Sequence, residues 1–289
     1  MKTNGKTELY GLIGNPAEHS LSPFIHSYFA EYTGQNTAYA AFSVSESGLT
    51  DAIKGVHALG IKGLNITMPY KQAIIPLLYE VDELAKRINS VNTIKHTKNG
   101  YVGYNTDILG FAMTLEKHGI VIKGKHMIIL GAGGSAASAA FAAANLGISE
   151  IIIINRTAPN ANKLAEQIKK YYNVSVVCDN FENFSKTMQY MKDKENFFLV
   201  QTTAVGFSEL EERSPVTDMQ IFRRAEYAID FIYSPYETAF LKMAKNQGCK
   251  AINGIDILIF QASAAYEIWT GAKIPSECTD YLSEYLGGI

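Results

Sequence analysis

The sequence predicts an α/β protein of two domains. Three observations lead there: β-type runs alternate with helical stretches from the start, a glycine-rich turn joins a strand to a helix midway, and the length exceeds one compact core. The chain has 289 residues, 47% of them hydrophobic and 19% charged, a globular balance spread over more sequence than a single core of typical size takes up.

The first block reads element by element. LYGLIG (9–14) is a strand and SPFIHSYFAEYTG (22–34) a helix; AYAAFSV (38–44) is a strand, SGLTDAIKGVHALG (47–60) a helix and GLNIT (63–67) a strand. That alternation indicates βαβ units and a largely parallel sheet. SVNTIKH (90–96) and GYVGYN (100–105) flank Lys98-Asn99-Gly100, and Asn-Gly, tolerant of positive φ, predicts a hairpin that closes the block. The helical DILGFAMTLEKHG (107–119) leads into a second block, which opens on the apolar strand of HMIILG (126–131) and repeats the alternation as far as AIDFIY (228–233) and CKAING (249–254). IDILIFQASAAYEIWTGA (255–272) is apolar around most of its circumference, as a helix buried between other elements is. It is expected to cross back to the first block. The expected domains are 1–106 completed by 255–289, and 107–254.

Composition narrows the function. Lys and Arg total 26 against 28 Asp and Glu, a formal charge of -2, which offers no electrostatic attraction for nucleic acid or an anionic membrane. No window approaches the roughly 18 apolar residues of a spanning helix, and the lysines of MKTNGKTELYG precede no apolar core. The expectation is a cytoplasmic protein with a small-molecule partner. Cys178, Cys249 and Cys278 form no CxxC pair and have no histidine at ligand spacing, so they read as buried or incidental thiols and no metal is expected.

HMIILGAGGSAASAAFAAANLG (126–147) places Gly131, Gly133 and Ala136 at G-x-G-x-x-A spacing between a strand and an alanine-rich helix. The first glycine allows the tight turn and the second lets backbone approach a pyrophosphate. The small third residue packs helix on strand, and the helix N-terminus offers free N–H groups to the anion. This predicts a doubly wound, Rossmann-like dinucleotide domain. NAD enzymes commonly hold an acidic residue at the end of the next strand, but EIIIIN here runs into Asn155-Arg156-Thr157. An arginine pairs with a 2′-phosphate, which favours NADP.

The other domain carries Lys71 in GLNITMPYKQ (63–72), where a strand should hand over to a helix. Taken alone, a lysine in a first helical turn is a solvated side chain. Ser20 and Ser22 in GNPAEHSLSPFIH (14–26), Thr67, Asn92 in SVNTI (90–94) and Asp107 in GYNTDILGF (103–111) change that reading. Together they would line a pocket with hydroxyls, an amide, a carboxylate and an ammonium, suited to a small polyhydroxylated acid. Ser22 before Pro23 also reads as a helix cap, and Asp107 as a first-turn acid favoured by the helix dipole.

GNPAEHSLSPFIH, GLNITMPYK, SVNTI, GYNTDILGF, GAGGSAA, NRT, DFIYSP and NGIDILIFQA occur here in the order found in shikimate dehydrogenases, and from about Tyr10 to Gly271 the chain resembles that family. The resemblance implies reversible NADPH-dependent reduction of 3-dehydroshikimate to shikimate, in aromatic amino acid biosynthesis. It implies Lys71 and Asp107 as the catalytic pair. Ser20, Ser22 and Tyr233 would contact the substrate carboxylate, and Thr67, Asn92 and Gln261 the ring hydroxyls and reacting region. NADP would lie on Gly131, Ala132, Gly133, Gly134, Ser135 and Ala136, with Asn155, Arg156 and Thr157 at the adenosine end and Thr202 and Gly254 toward the nicotinamide. A homodimer is the assembly considered.

Two positions depart from the family pattern. Asn160 stands where a second basic residue often follows NRT, with Lys163 nearby, and Gln201-Thr202-Thr203 replaces Asn-Ala-Thr. The alternatives are a quinate/shikimate dehydrogenase with broader substrate and NAD use, and a dinucleotide-binding regulator without activity. A folate-linked dehydrogenase fits less well, because a pterin pocket needs no such cluster of hydroxyls.

Overall fold

The computed structural model describes residues 3–194, 196–207 and 210–288. The chain divides into two compact units, Met1–Gly110 with Leu258–Ile289, and Phe111–Ile257.

The first unit opens with β1 (Glu8–Gly14), α1 (Ser22–Thr33), β2 (Thr37–Ser43), α2 (Leu49–Ala58), β3 (Gly63–Ile66), β4 (Glu80–Val81), α3 (Glu83–Ile88), β5 (Thr93–Thr97) and β6 (Gly100–Tyr104). Among the described residues the strands form a six-stranded sheet in the order β2-β1-β3-β5-β6-β4. β1 runs parallel to β2 and β3, while the expected hairpin makes β5 antiparallel to both β3 and β6. The pairing has a topological consequence. The ends of β1, β3 and β6 and the start of β5 lie at one end of the sheet; Ser20, Thr67, Lys71 and Asn92 sit in loops and turns there, and Ser22 and Asp107 at helix starts.

The expected helix after β3 is absent. Residues 68–74 form consecutive turns, with Tyr70 N–H donating to the Thr67 carbonyl and Ile74 N–H to that of Tyr70, and end in a 3-10 turn at Ile75–Leu77. Prolines 69 and 76 bracket the run. Pro76 lacks an N–H to donate, and the residue before it is biased away from helical backbone, so a helix cannot propagate. Lys71 therefore projects from a tight turn, whose carbonyl accepts the Val91 N–H at 2.8 Å.

The core of this unit gathers Ile13, Leu64, Ile66, Tyr70, Ile74, Val91, Ile94 and Tyr101. His26 of α1 is 2% exposed and stacks on Tyr39 at 4.3 Å. Neither of its ring nitrogens has a hydrogen-bond partner. Burial pulls its pKa down to about 3, and nearby Asn65 draws it back only in part. It is a neutral aromatic ring in the core.

α4 (Asp107–Lys117) begins in the first unit and ends in the second. The second unit continues with β7 (His126–Leu130), α5 (Gly134–Asn145), β8 (Glu150–Ile154), α6 (Ala158–Tyr171), β9 (Ser175–Asp179), α7 (Phe184–Tyr190), β10 (Phe197–Gln201), α8 (Met219–Arg224), β11 (Ala225–Asp230), α9 (Ala239–Asn246) and β12 (Lys250–Ile252). Its strands are all parallel, in the order β12-β11-β10-β7-β8-β9. β7, β8 and β10 are buried along nearly their whole length, as strands covered on both faces are. α5 buries every residue from Ala136 to Ala144, because alanines let the helix approach the sheet closely. Order reverses at β7, which has β8 on one side and β10 on the other, and ligands of such sheets bind at the carboxyl ends of the strands beside that switch.

α10 (Ile255–Thr270) returns the chain to the first unit, where α11 (Ser276–Gly287) follows. There Trp269 stacks on Tyr10 at 5.1 Å and donates its indole N–H to the Ile94 carbonyl at 3.0 Å. A Cβ on Gly63 would sit 2.3 Å from the indole nitrogen. Only glycine at this point of β3 lets the indole lie flat against the strand.

Candidate active site

At this end of the first unit's sheet, the Lys71 ammonium donates to Asp107 Oδ2 at 2.6 Å, with the side chains 18% and 10% exposed. The other carboxylate oxygen, Oδ1, accepts from Asn92 Nδ2 at 2.8 Å. Asp107 is the first residue of α4, so its charge also lies at the positive end of the helix. The dipole and the ion pair act on the carboxylate together. Gln261 of α10 joins through its Oε1, 3.4 Å from Asn92 Nδ2.

The structure thus brings Lys71, Asp107, Asn92 and Gln261 into one hydrogen-bonded group. The remaining first-unit candidates lie at the same end in other surroundings. Ser22 does not cap α1: Leu21 holds that position, and Ser22 N–H donates to Ser20 Oγ at 3.2 Å. Pro23 falls too far along the helix for the Ser-Pro cap to form, and the Ser22 hydroxyl makes no capping bond. Thr67 packs its γ-methyl over Gly14, where a Cβ would meet it at 2.4 Å. Tyr233 belongs to the second unit, half-buried in the loop after β11.

Sequence reasoning quoted the stretches that hold Asn65, Thr93, Asn105 and Thr106 but did not single these residues out. All four are buried. Asn105 Nδ2 donates to the Ser90 carbonyl, and its Oδ1 accepts the Ile108 N–H at the start of α4. The Asn-Thr pairs repeated in SVNTI and GYNTD were the available signal.

In the second unit Gly131 takes φ +112°, and its N–H donates to the Ile154 carbonyl. A Cβ there would also meet Thr202 Oγ1 at 2.6 Å, whereas at Gly133 it would meet nothing within 4 Å. The space over Gly133 and the start of α5, which has no side-chain cap, fit the pyrophosphate of a dinucleotide. Ala132, Gly134 and Ser135 are half-buried on this turn, and Ala136 is buried beneath it. At the end of β8, Asn155 Nδ2 donates to the carbonyl and hydroxyl of Thr157, and Arg156 is exposed.

Thr202 closes the turn from β10, with its hydroxyl donating to the Leu130 carbonyl at 2.7 Å. Gln201 is fully buried and bonds the Val205 carbonyl and Thr203 N–H. Gly254 is buried with no room for a Cβ, which would lie 2.4 Å from the Phe231 carbonyl. Asp230, at the end of β11, accepts from Ile232 N–H at 3.0 Å and from the Thr238 hydroxyl at 2.7 Å. Burial nevertheless pushes its carboxyl up to about 7. Among the described residues no cluster of three or more His, Cys, Asp or Glu could hold a metal ion, and no helix is long and apolar enough to cross a membrane.

Two family models match the chain: shikimate dehydrogenase substrate binding domain over residues 12–94, and shikimate / quinate 5-dehydrogenase over residues 114–192. The shikimate dehydrogenase (NADP(+)) of Caldanaerobacter subterraneus is 39% identical over 271 residues, 94% of either chain. The shikimate 5-dehydrogenase of Listeria monocytogenes, solved in complex with shikimate and NAD, superposes with a TM-score of 0.88 at 31% identity, covering 99% of this chain and 98% of that one. The enzyme from Thermus thermophilus, solved with NADP(H) and shikimate, gives 0.83 at 30% identity over 97% and 100%.

Proposed function

The chain belongs to the shikimate dehydrogenase family, and from that premise we propose how its residues divide the family's reaction. The activity is the reversible NADPH-dependent reduction of 3-dehydroshikimate to shikimate, a step in aromatic amino acid biosynthesis. In our reading the first unit holds the substrate and the second the NADP. The observation that carries the reading is the Lys71–Asp107 pair, 2.6 Å apart and largely withdrawn from water.

NADPH, when held on the second unit, would supply the hydride that the C3 carbonyl takes up. Charge then develops on the carbonyl oxygen, and the Lys71 ammonium stabilises it and donates a proton. Asp107 aims that ammonium and accepts from the neighbouring substrate hydroxyl. Ser20 and Ser22 bind the substrate carboxylate through their hydroxyls. Thr67, Asn92 and Gln261 hold the ring hydroxyls, with Asn92 acting in addition on Asp107. On the cofactor side the N–H groups at the start of α5, over Gly133, would take the pyrophosphate, with Gly131 shaping the turn beneath it; Asn155, Arg156 and Thr157 would hold the adenosine end, and Thr202 and Gly254 belong to the same cofactor site.

Initial rates with shikimate or quinate and NADP⁺ or NAD⁺, in all four combinations, test the reading through the absorbance of the reduced cofactor. The expected result is a strong preference for shikimate with NADP⁺. Lys71→Ala should lower kcat by about 10²- to 10⁴-fold with little change in KM. An effect confined to KM would make Lys71 a binding residue. Comparable quinate or NAD⁺ rates would favour the broader dehydrogenase. The cysteines, all unpaired thiols, suit a reducing cytoplasm, where we place the protein. The homodimer belongs to the same reading and is tested by light scattering.

A further inference from the structure

Behind Asn92 lies a chain of largely buried side chains joined by hydrogen bonds. Asn92 Oδ1 accepts from the backbone N–H of Thr106 at 2.7 Å. A backbone N–H can only donate, so the amide orientation is fixed and the NH2 group faces Asp107. Asn65 is fixed in the same manner: its Nδ2 lies 3.3 Å from the Asn92 carbonyl, which can only accept, and 3.1 Å from Thr93 Oγ1. Asn65 Oδ1 is then an acceptor, and the Tyr39 hydroxyl donates to it at 2.7 Å. Thr93 Oγ1, having accepted from Asn65, turns its own hydrogen onward, to Asn92 Oδ1 or Thr106 Oγ1, each at 3.1 Å.

Each donor from Tyr39 onward points toward Asp107, through Asn65, Thr93 and Asn92, and Lys71 closes the chain from the far side. Asn65, Asn92, Thr93 and Thr106 are each at most 4% exposed, so water cannot replace a missing link and a wrongly turned amide would leave buried groups unpaired. Tyr39 is held in turn by its stack on His26.

We infer that Thr93, with Asn65 and Tyr39 behind it, is a positioning residue for the proposed reaction: it braces the Asn92 amide, whose orientation the Thr106 N–H sets, so that Asp107 presents Oδ2 to Lys71. The inference rests on the catalytic reading of that pair. Thr93 and Tyr39 reach the pair through Asn92 and touch neither Lys71 nor Asp107 directly, so their loss should weigh more on turnover than on substrate binding.

Thr93→Val, which keeps the shape and removes the hydroxyl, should lower kcat about 10-fold or more while KM for shikimate changes by a clearly smaller factor. Thr93→Ser should restore most of the rate. Tyr39→Phe, a milder change at a half-buried position, should lower kcat by a smaller factor in the same pattern. It keeps the inference testable should Thr93→Val fail to fold. Wild-type kcat in both folded variants would overturn the inference, as would a loss confined to KM or no rescue by serine. A crystal structure of Thr93→Val gives a readout without turnover. The Asn92 side chain is expected to shift and the Lys71–Asp107 distance to lengthen beyond 2.6 Å. An unchanged pair would refute the positioning role even if the wild-type protein left shikimate untouched, an outcome that would sink the proposed reaction separately.

Discussion

Asp230 is a carboxyl kept from water, and the sign of its effect on stability follows from that. An aspartate in the unfolded chain releases its proton near pH 4, whereas Asp230 in the folded protein keeps its proton up to about 7 because burial opposes the charge. Between those values the unfolded state alone ionises, which draws the equilibrium toward it. The stabilisation is complete below about pH 4 and is lost as pH rises through about 7. Asp230→Asn, able to donate to Thr238 at any pH, should flatten this part of the stability curve, as urea midpoints between pH 4 and 8 would register. An unchanged slope would mean that Asp230 titrates normally. Single residues were legible to different depths. Lys71 and Asp107 were readable because their motifs are long, but Ser22 as a cap was not borne out, since the helix begins one residue earlier than Ser-Pro suggests. The surroundings of Asn92 were beyond a local reading, because Gln261 reaches it from 169 positions away.

At the scale of elements, patterns of period two and 3.6 made most strands and helices readable, and the Asn-Gly turn placed the β5–β6 hairpin. The segment after β3 was misread because strand-to-helix alternation was extended across two prolines, where backbone chemistry overrides the pattern. β4, two residues long, is too short to carry a period. β3 also supplies a test of packing. Gly63→Ala forces a methyl into Trp269, which cannot yield without breaking its bond to the Ile94 carbonyl and its stack on Tyr10. Overpacking of this kind costs roughly 1–3 kcal/mol. A urea midpoint lowered accordingly is expected, and an unchanged one would mean that the indole has room to move.

For the whole molecule, the two units have separate cores, one around Ile13, Leu64 and Tyr101 and the other around Ile128, Ile152 and Phe240. Trp269 is the chain's single tryptophan and lies in the first unit. Its fluorescence should therefore report that unit alone, while far-ultraviolet circular dichroism reports both. The two urea transitions are expected to differ in midpoint, and coincident curves would show that the units unfold as one. The first unit is also discontinuous in sequence, which matters while the chain is being made. On a ribosome the strands carrying Tyr10, Gly63 and Ile94 emerge long before the tryptophan that packs against all three. The second unit, one continuous stretch, can fold while the first still waits for its closing helix, so the half-made protein carries an unfilled apolar groove until α10 has emerged.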